Sequence, residues 1–146
     1  MTIGKTLDQL KIGETADFSR TVTESDIIRF AEASGDSNPI HMDQAYAEKT
    51  PFKGRIAHGV MALAFISNVL GNIFPGRGTI YVSQEAHFLV PVRIGDTITT
   101  RVQVLEFLPE KNRVKLKTTC TNQDGKQVVD GVAWVMAPKK EFEGRT

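Results

Sequence analysis

Cysteine is almost absent from this chain: Cys120 stands alone among 146 residues. A single thiol cannot close an intrachain disulfide, and such a composition suits a reducing compartment, so a cytoplasmic protein is expected. Histidine is scarce as well. His41, His58 and His87 are scattered, and neither they nor Cys120 form pairs at metal-ligand spacing, so no zinc site is read from the sequence. An excess of either charge is lacking, since 18 Lys and Arg against 17 Asp and Glu leave a formal net charge of +1. That balance excludes the basic stripe of a nucleic-acid binder. No apolar run is long enough for a membrane: Val60 to Phe74 (VMALAFISNVLGNIF) falls short of the roughly 20 residues that span a bilayer and is broken by Ser67, Asn68 and Asn72. The start, MTIGKTLDQLKIGE, has neither the apolar core nor the small-residue cleavage site of a secretory signal. Gly76 and Gly78 precede a strand-like run, the wrong order for a dinucleotide fingerprint. No nucleophile elbow or Ser/Cys–His signature offers a carrier for acyl-enzyme chemistry.

What is present fits one domain, residues 1–146, without repeats or low-complexity segments. Glu14 to Val22 alternates loosely and predicts a first strand. Thr23-Glu24-Ser25-Asp26 has the form of a helix start with Thr23 as N-cap, and Ile27, Phe30 and Ala31 recur at helical spacing up to Gly35. GDSNPIH, Gly35 to His41, then reads as irregular, with Pro39 pushing Asn38 away from helical angles. A short helix is predicted from Asp43 to Lys49, and the nearly all-apolar Val60–Phe74 predicts one long buried helix. Period two follows. Ile80, Val82, Gln84, Ala86 and Phe88 share one face of a strand, with Tyr81, Ser83, Glu85 and a half-buried His87 opposite. Asp96–Phe107 alternates through Ile98, Val102 and Val104, and the next run places Val114, Leu116, Thr118 and Cys120 on one side. Asp124-Gly125 predicts a hairpin into a last strand, Gln127–Met136, ahead of a polar, frayed tail. Helices and strands separated along the chain predict an α+β fold, a meander of antiparallel strands wrapped around the apolar helix.

Two features invite chemistry, and residue types alone leave each open. Asp36 and His41 fit a plain turn, in which Asp36 opens an Asx-turn and His41 lies on the surface. They equally fit a carboxylate–imidazole pair converging on one water. His58-Gly59 fits a simple helix entry with His58 as a mediocre cap. It also fits an approach to the unpaired N–H groups of a first helical turn, where developing negative charge is favoured and a glycine leaves room for a carbonyl. Ser67 either bonds back to its own helix or points a hydroxyl into a cleft.

The stretch FAEASGDSNPIHMDQAYAEKTPFKGRIAHGVMALAFISNVLG resembles the signature of the MaoC-like (R)-specific enoyl-CoA hydratases. It carries the pattern D-x-N-P-apolar-H followed by apolar-x-H-G and a long helix. The matching positions are Asp36, Asn38, Pro39, His41, His58, Gly59 and Ser67, and PGRGTIYVSQEAHFLVPVRIGD looks like the family's first strand after the helix. The resemblance implies a hot-dog fold, an antiparallel sheet curled round one long central helix, in a homodimer or higher homo-oligomer. It implies reversible syn hydration of trans-2-enoyl-CoA to (R)-3-hydroxyacyl-CoA without metal or other cofactor, with acyl-CoA as the small-molecule partner. Asp36 and His41 would be the catalytic dyad and the Gly59 N–H the oxyanion donor, with Asn38 and Ser67 in support. Such an activity belongs to acyl-CoA and fatty-acid metabolism, polyhydroxyalkanoate synthesis included. A hot-dog thioesterase, which directs water to the carbonyl carbon, and a non-catalytic acyl-CoA-binding subunit are the alternatives.

Overall fold

The computed structural model describes residues 2–140, and the predicted polar tail lies partly outside them, at 141–146. Strand β1 (Thr15–Thr21) leads into helix α1 (Glu24–Ser34). The helix starts where Thr23 and Asp26 satisfy each other's main-chain N–H groups in a capping box, and it stops where Gly35 takes a left-handed φ of +79°. The capping signal and the glycine fix both ends as predicted.

The segment expected to be irregular contains one helical turn, α2 (Pro39–Met42). Pro39 breaks a helix that arrives from before it but occupies the first position of one that begins there, where its missing N–H costs nothing. Asn38 stays off helical angles, as expected, and its side chain caps the turn by accepting from the Ile40 N–H at 3.2 Å. Asp43 then caps α3 (Gln44–Glu48).

The predicted long helix is α4 (Met61–Asn68) continued by a wider π-turn over Val69–Ile73. Ile66, Val69 and Leu70 sit in the core, but the opposite side, with Val60, Ala64 and Ser67, is exposed. The helix is therefore buried along one face within a single chain, not all round.

Four strands follow: β2 (Ile80–Phe88), β3 (Thr97–Leu108), β4 (Arg113–Thr121) and β5 (Gln127–Met136). All neighbours pair antiparallel in the order β1-β3-β4-β5-β2. Only β3 to β5 form a meander, and β2 crosses to the far edge beside β5. Ile98, Val102 and Val104 of β3, Val114, Leu116 and Cys120 of β4, and Ala133 and Val135 of β5 meet the helix in one core. The alternation predicted for β3 and β4 holds. The β4–β5 connection spans residues 122–126, with Asn122 accepting from the N–H groups of Asp124 and Lys126. In β2 the alternation slips at Val82, where a bulge shifts the register between Tyr81 and Ser83. The bulge moves Tyr81 to the inner face with Gln84, whose side-chain oxygen accepts from its phenol. His87 is exposed on the outer face rather than half-buried.

The capping box sets where the chain enters α1, the helix that leads to the segment bearing Asp36. Thr23→Ala removes one of its two hydrogen bonds and is expected to lower unfolding free energy by about 1 kcal/mol in a urea melt, with an unchanged slope.

Candidate active site

The site begins where α1 ends. The Ser34 hydroxyl donates to the Phe30 carbonyl at 2.7 Å and accepts from the Asp36 N–H at 3.1 Å. Asp36 in turn accepts from the Asn38 N–H at 3.2 Å. The Asx-turn of the plain reading is real, and its carboxylate stays exposed. The other half of that reading fails. His41 is not a surface residue: it is only 9% exposed.

His41 is carried by α2 and held from the side by the loop that precedes α4. Its Nδ1 lies 2.7 Å from the Ile56 carbonyl oxygen. A carbonyl only accepts, so Nδ1 carries the hydrogen and the neutral ring keeps its lone pair on Nε2. The same loop fixes the backbone of α2. Ile56 donates its N–H to the Ile40 carbonyl at 3.2 Å, and Arg55 donates Nε to the His41 carbonyl at 2.6 Å. A second nitrogen of Arg55 donates to Glu24 at the start of α1, also at 2.6 Å. One guanidinium thus links α1, α2 and the loop.

His58 closes the group. Its ring, 2% exposed, stacks on His41 with centroids 4.0 Å apart and planes tilted by 30°. Its Nε2 lies 2.9 Å from the main-chain oxygen of Asp36. One side-chain polar atom from each of Asp36, His41 and His58 falls within 4.8 Å of the others. Spacing along the chain therefore excluded only a local metal motif, since the fold gathers three ligand-type groups from separate segments. Their geometry suits a shared ion poorly. The in-plane lone pairs of two rings stacked with this small tilt do not converge until one ring turns, whereas tetrahedral ligation needs convergence.

Gly59 follows His58 at the mouth of α4, and its N–H has no hydrogen-bond partner among the described residues. A side chain there would crowd the Phe88 ring, which lies 3.1 Å from the position of a Cβ. Gly59 and His41 line one largely apolar cavity of about 270 Å³, together with Phe52, Ala62, Phe88 and Val129. The structure thus brings Asp36, His41 and Gly59 to one place and puts Asn38 in the turn that shapes it. Ser67 lies about two turns further along α4 and is exposed. The side chain of His58 is the member that residue-by-residue reading missed. The available signal was a histidine lodged between Ala57 and Gly59 on the approach to an apolar helix, a place where a surface residue is out of character.

Two other features do not compete. A wider hollow of about 680 Å³ opens between Leu7, Phe107 and Pro138, shares no lining residue with the cavity beside His41, and has its carboxylate, Asp8, engaged by the Thr6 hydroxyl. Cys120 is buried in the core, and burial pushes its thiol up, away from the reactive thiolate. No described helix is long and apolar enough to cross a membrane.

Residues 8–129 match the family model described as MaoC like domain. An (R)-specific enoyl-CoA hydratase of Rhodospirillum rubrum is 49% identical, the match covering 91% of this chain and 92% of the relative. A 3-hydroxybutyryl-CoA dehydratase of Methylorubrum extorquens is 45% identical over 92% of this chain and 85% of its own. The solved structure of the R-hydratase PhaJ1 from Pseudomonas aeruginosa, in the unliganded form, superposes with a TM-score of 0.88 at 47% identity, covering 92% of this chain and 86% of that one. The family match spans the segment bearing Asp36 and His41 and the central helix, and the fold is the hot-dog fold of the R-hydratase structure. The chain belongs to the MaoC-like domain family.

Proposed function

We propose that the protein is an (R)-specific enoyl-CoA hydratase, a hydro-lyase that adds water reversibly and syn across trans-2-enoyl-CoA to give (R)-3-hydroxyacyl-CoA. The observation that carries the reading is the meeting of the Asp36 carboxylate and the His41 imidazole within 4.8 Å, beside a cavity that Gly59 also lines. The names of the relatives point the same way, one a hydratase and one the dehydratase that runs such a reaction in reverse.

Each residue has work that its surroundings suit. Water is a poor nucleophile, and Cβ of an enoyl thioester is a modest electrophile. Asp36 and the Nε2 of His41 hold one water between them, and together they take its proton as the oxygen attacks Cβ. The same pair returns a proton to Cα on the same face, so one carboxylate and one imidazole serve both transfers. Help of this kind is worth about 10²–10⁴-fold in rate. Electron density meanwhile moves to the thioester oxygen. The unpartnered N–H of Gly59 donates to it, and losing such a donor commonly costs about 10²–10³. Because Gly59 has no side chain, the thioester can come close without displacing Phe88 further. Asn38 caps the turn that presents the dyad, and Ser67 is assigned no direct contact with the reacting atoms. Hydration exchanges no electrons, and the reaction as drawn uses no redox cofactor and no metal.

The same reading extends to assembly and location. The outer edge of β2 is unpaired in the sheet, and Ile80, Val82 and Phe88 on it are 57%, 38% and 53% exposed. With the bare side of α4, this makes an apolar surface that pairing with a second copy would cover, so the protein is a homodimer. The lone buried cysteine supports a cytoplasmic protein.

Incubation with crotonyl-CoA tests the activity: loss of the conjugated absorbance without free thiol is expected, whereas thiol release would identify a thioesterase. Asp36→Asn is expected to lower kcat by about 10²–10⁴-fold with melting temperature unchanged, since the carboxylate is exposed. His41→Ala should fall as far and also melt lower, because the ring is buried and the Ile56 carbonyl loses its donor. Full turnover in either variant contradicts the dyad. Light scattering should return twice the chain mass, and Val82→Lys should shift that value toward the monomer; a monomeric parent contradicts the dimer.

A further inference from the structure

His58 takes no part in the proton transfers above and does not line the cavity. Its environment is nevertheless specific. The ring packs on Phe30, with centroids 4.9 Å apart, and on His41 at 4.0 Å. Its Nε2 faces the Asp36 carbonyl at 2.9 Å, so the hydrogen belongs on Nε2. Nδ1 is then a bare acceptor, and no partner reaches it among the described residues.

A buried nitrogen without a partner weakens a fold, whereas an apolar side chain of similar volume would leave none. Stability therefore does not account for a histidine at this position. What the ring does is touch both halves of the dyad. Its edge holds the main chain of Asp36, and its face backs the ring of His41. The bond from His41 Nδ1 to Ile56 leaves the imidazole able to swing about that contact, and a flat neighbour at 4.0 Å removes the swing. We infer that His58 is a positioning residue: as the Nε2–H tautomer it ties the Asp36 carbonyl to the His41 ring face, keeping the carboxylate and the imidazole at one distance from the water they share. This inference rests on the hydratase reading of Asp36 and His41.

Three measurements on the full chain test it: steady-state hydration of crotonyl-CoA by His58→Leu and His58→Gln, thermal melts of both, and ¹⁵N NMR of the histidine rings in the parent. His58→Leu is expected to lose about 10²-fold in kcat, as small misplacements of catalytic groups do, with KM little changed and a melting temperature no lower than the parent's. His58→Gln, whose amide can donate to the same carbonyl, should recover at least about tenfold of that loss and keep the parental pH–rate profile. The spectrum should place the hydrogen of the His58 ring on Nε2. Parental kcat in His58→Leu, or stability and activity falling together, overturns the role. A His58→Gln profile that loses a limb overturns it as well, because His58 would then carry a reacting proton. Should the leucine variant fail to fold, the glutamine variant and the spectrum decide, and a hydrogen on Nδ1 rejects the inference. A parent that does not hydrate crotonyl-CoA defeats the hydratase reading instead, while the spectrum still reports the tautomer.

Discussion

The hydrogen bond from His41 Nδ1 to the Ile56 carbonyl joins two segments that are fifteen residues apart in the chain. It selects one tautomer, leaving Nε2 as the basic nitrogen, and it sets the direction in which that nitrogen points. The bond holds because both partners are fixed independently. Ile56 is paired by its own N–H to Ile40, and Ala57 is paired to Val92 on the approach to β3 at 2.7 Å. His41 sits on a helical turn whose start is set by Asn38 and Pro39 and whose main chain is gripped by Arg55. A loose imidazole would be an ordinary surface base. A fixed one can share a water with a carboxylate.

The two members of the pair live in different surroundings. Asp36 is exposed and partly engaged by its own turn, while His41 is buried beneath it with His58 and Phe30 behind. The apolar cavity on the far side, bounded by Phe52, Phe88 and Val129, suits an acyl chain better than it suits water. Phe88 also stands on the open edge of β2. The cavity and the exposed sheet edge thus share Phe88.

Much of this was legible along the chain. Thr23 and Gly35 bounded α1 because caps are local, and period two marked the later strands because pleating is local as well. The departures from the local pattern have equally physical causes. The Gly35–His41 segment reads as irregular because Pro39 bars a helix from before it, yet from its own position onward Pro39 starts one. Strict period two puts Tyr81 on the outer face, whereas a bulge at Val82 resets the period without leaving a sequence mark. The side of α4 that faces away from the core carries Val60, Ala64 and Ile73 beside Ser67 and Asn72, so apolar composition alone does not mark which face meets the sheet. The family pattern includes His58, but what its side chain does is visible only when residues 36, 41 and 58 converge in the fold.

In the proposed reaction Asp36 and His41 act from one side of the double bond. Hydration of crotonyl-CoA in deuterium oxide tests it most directly, since the configuration of deuterium at Cα relative to the hydroxyl at Cβ records the faces used. Deuterium and hydroxyl on the same face is the predicted product. Addition to opposite faces would contradict the account, because a single carboxylate–imidazole pair holding one water cannot deliver both.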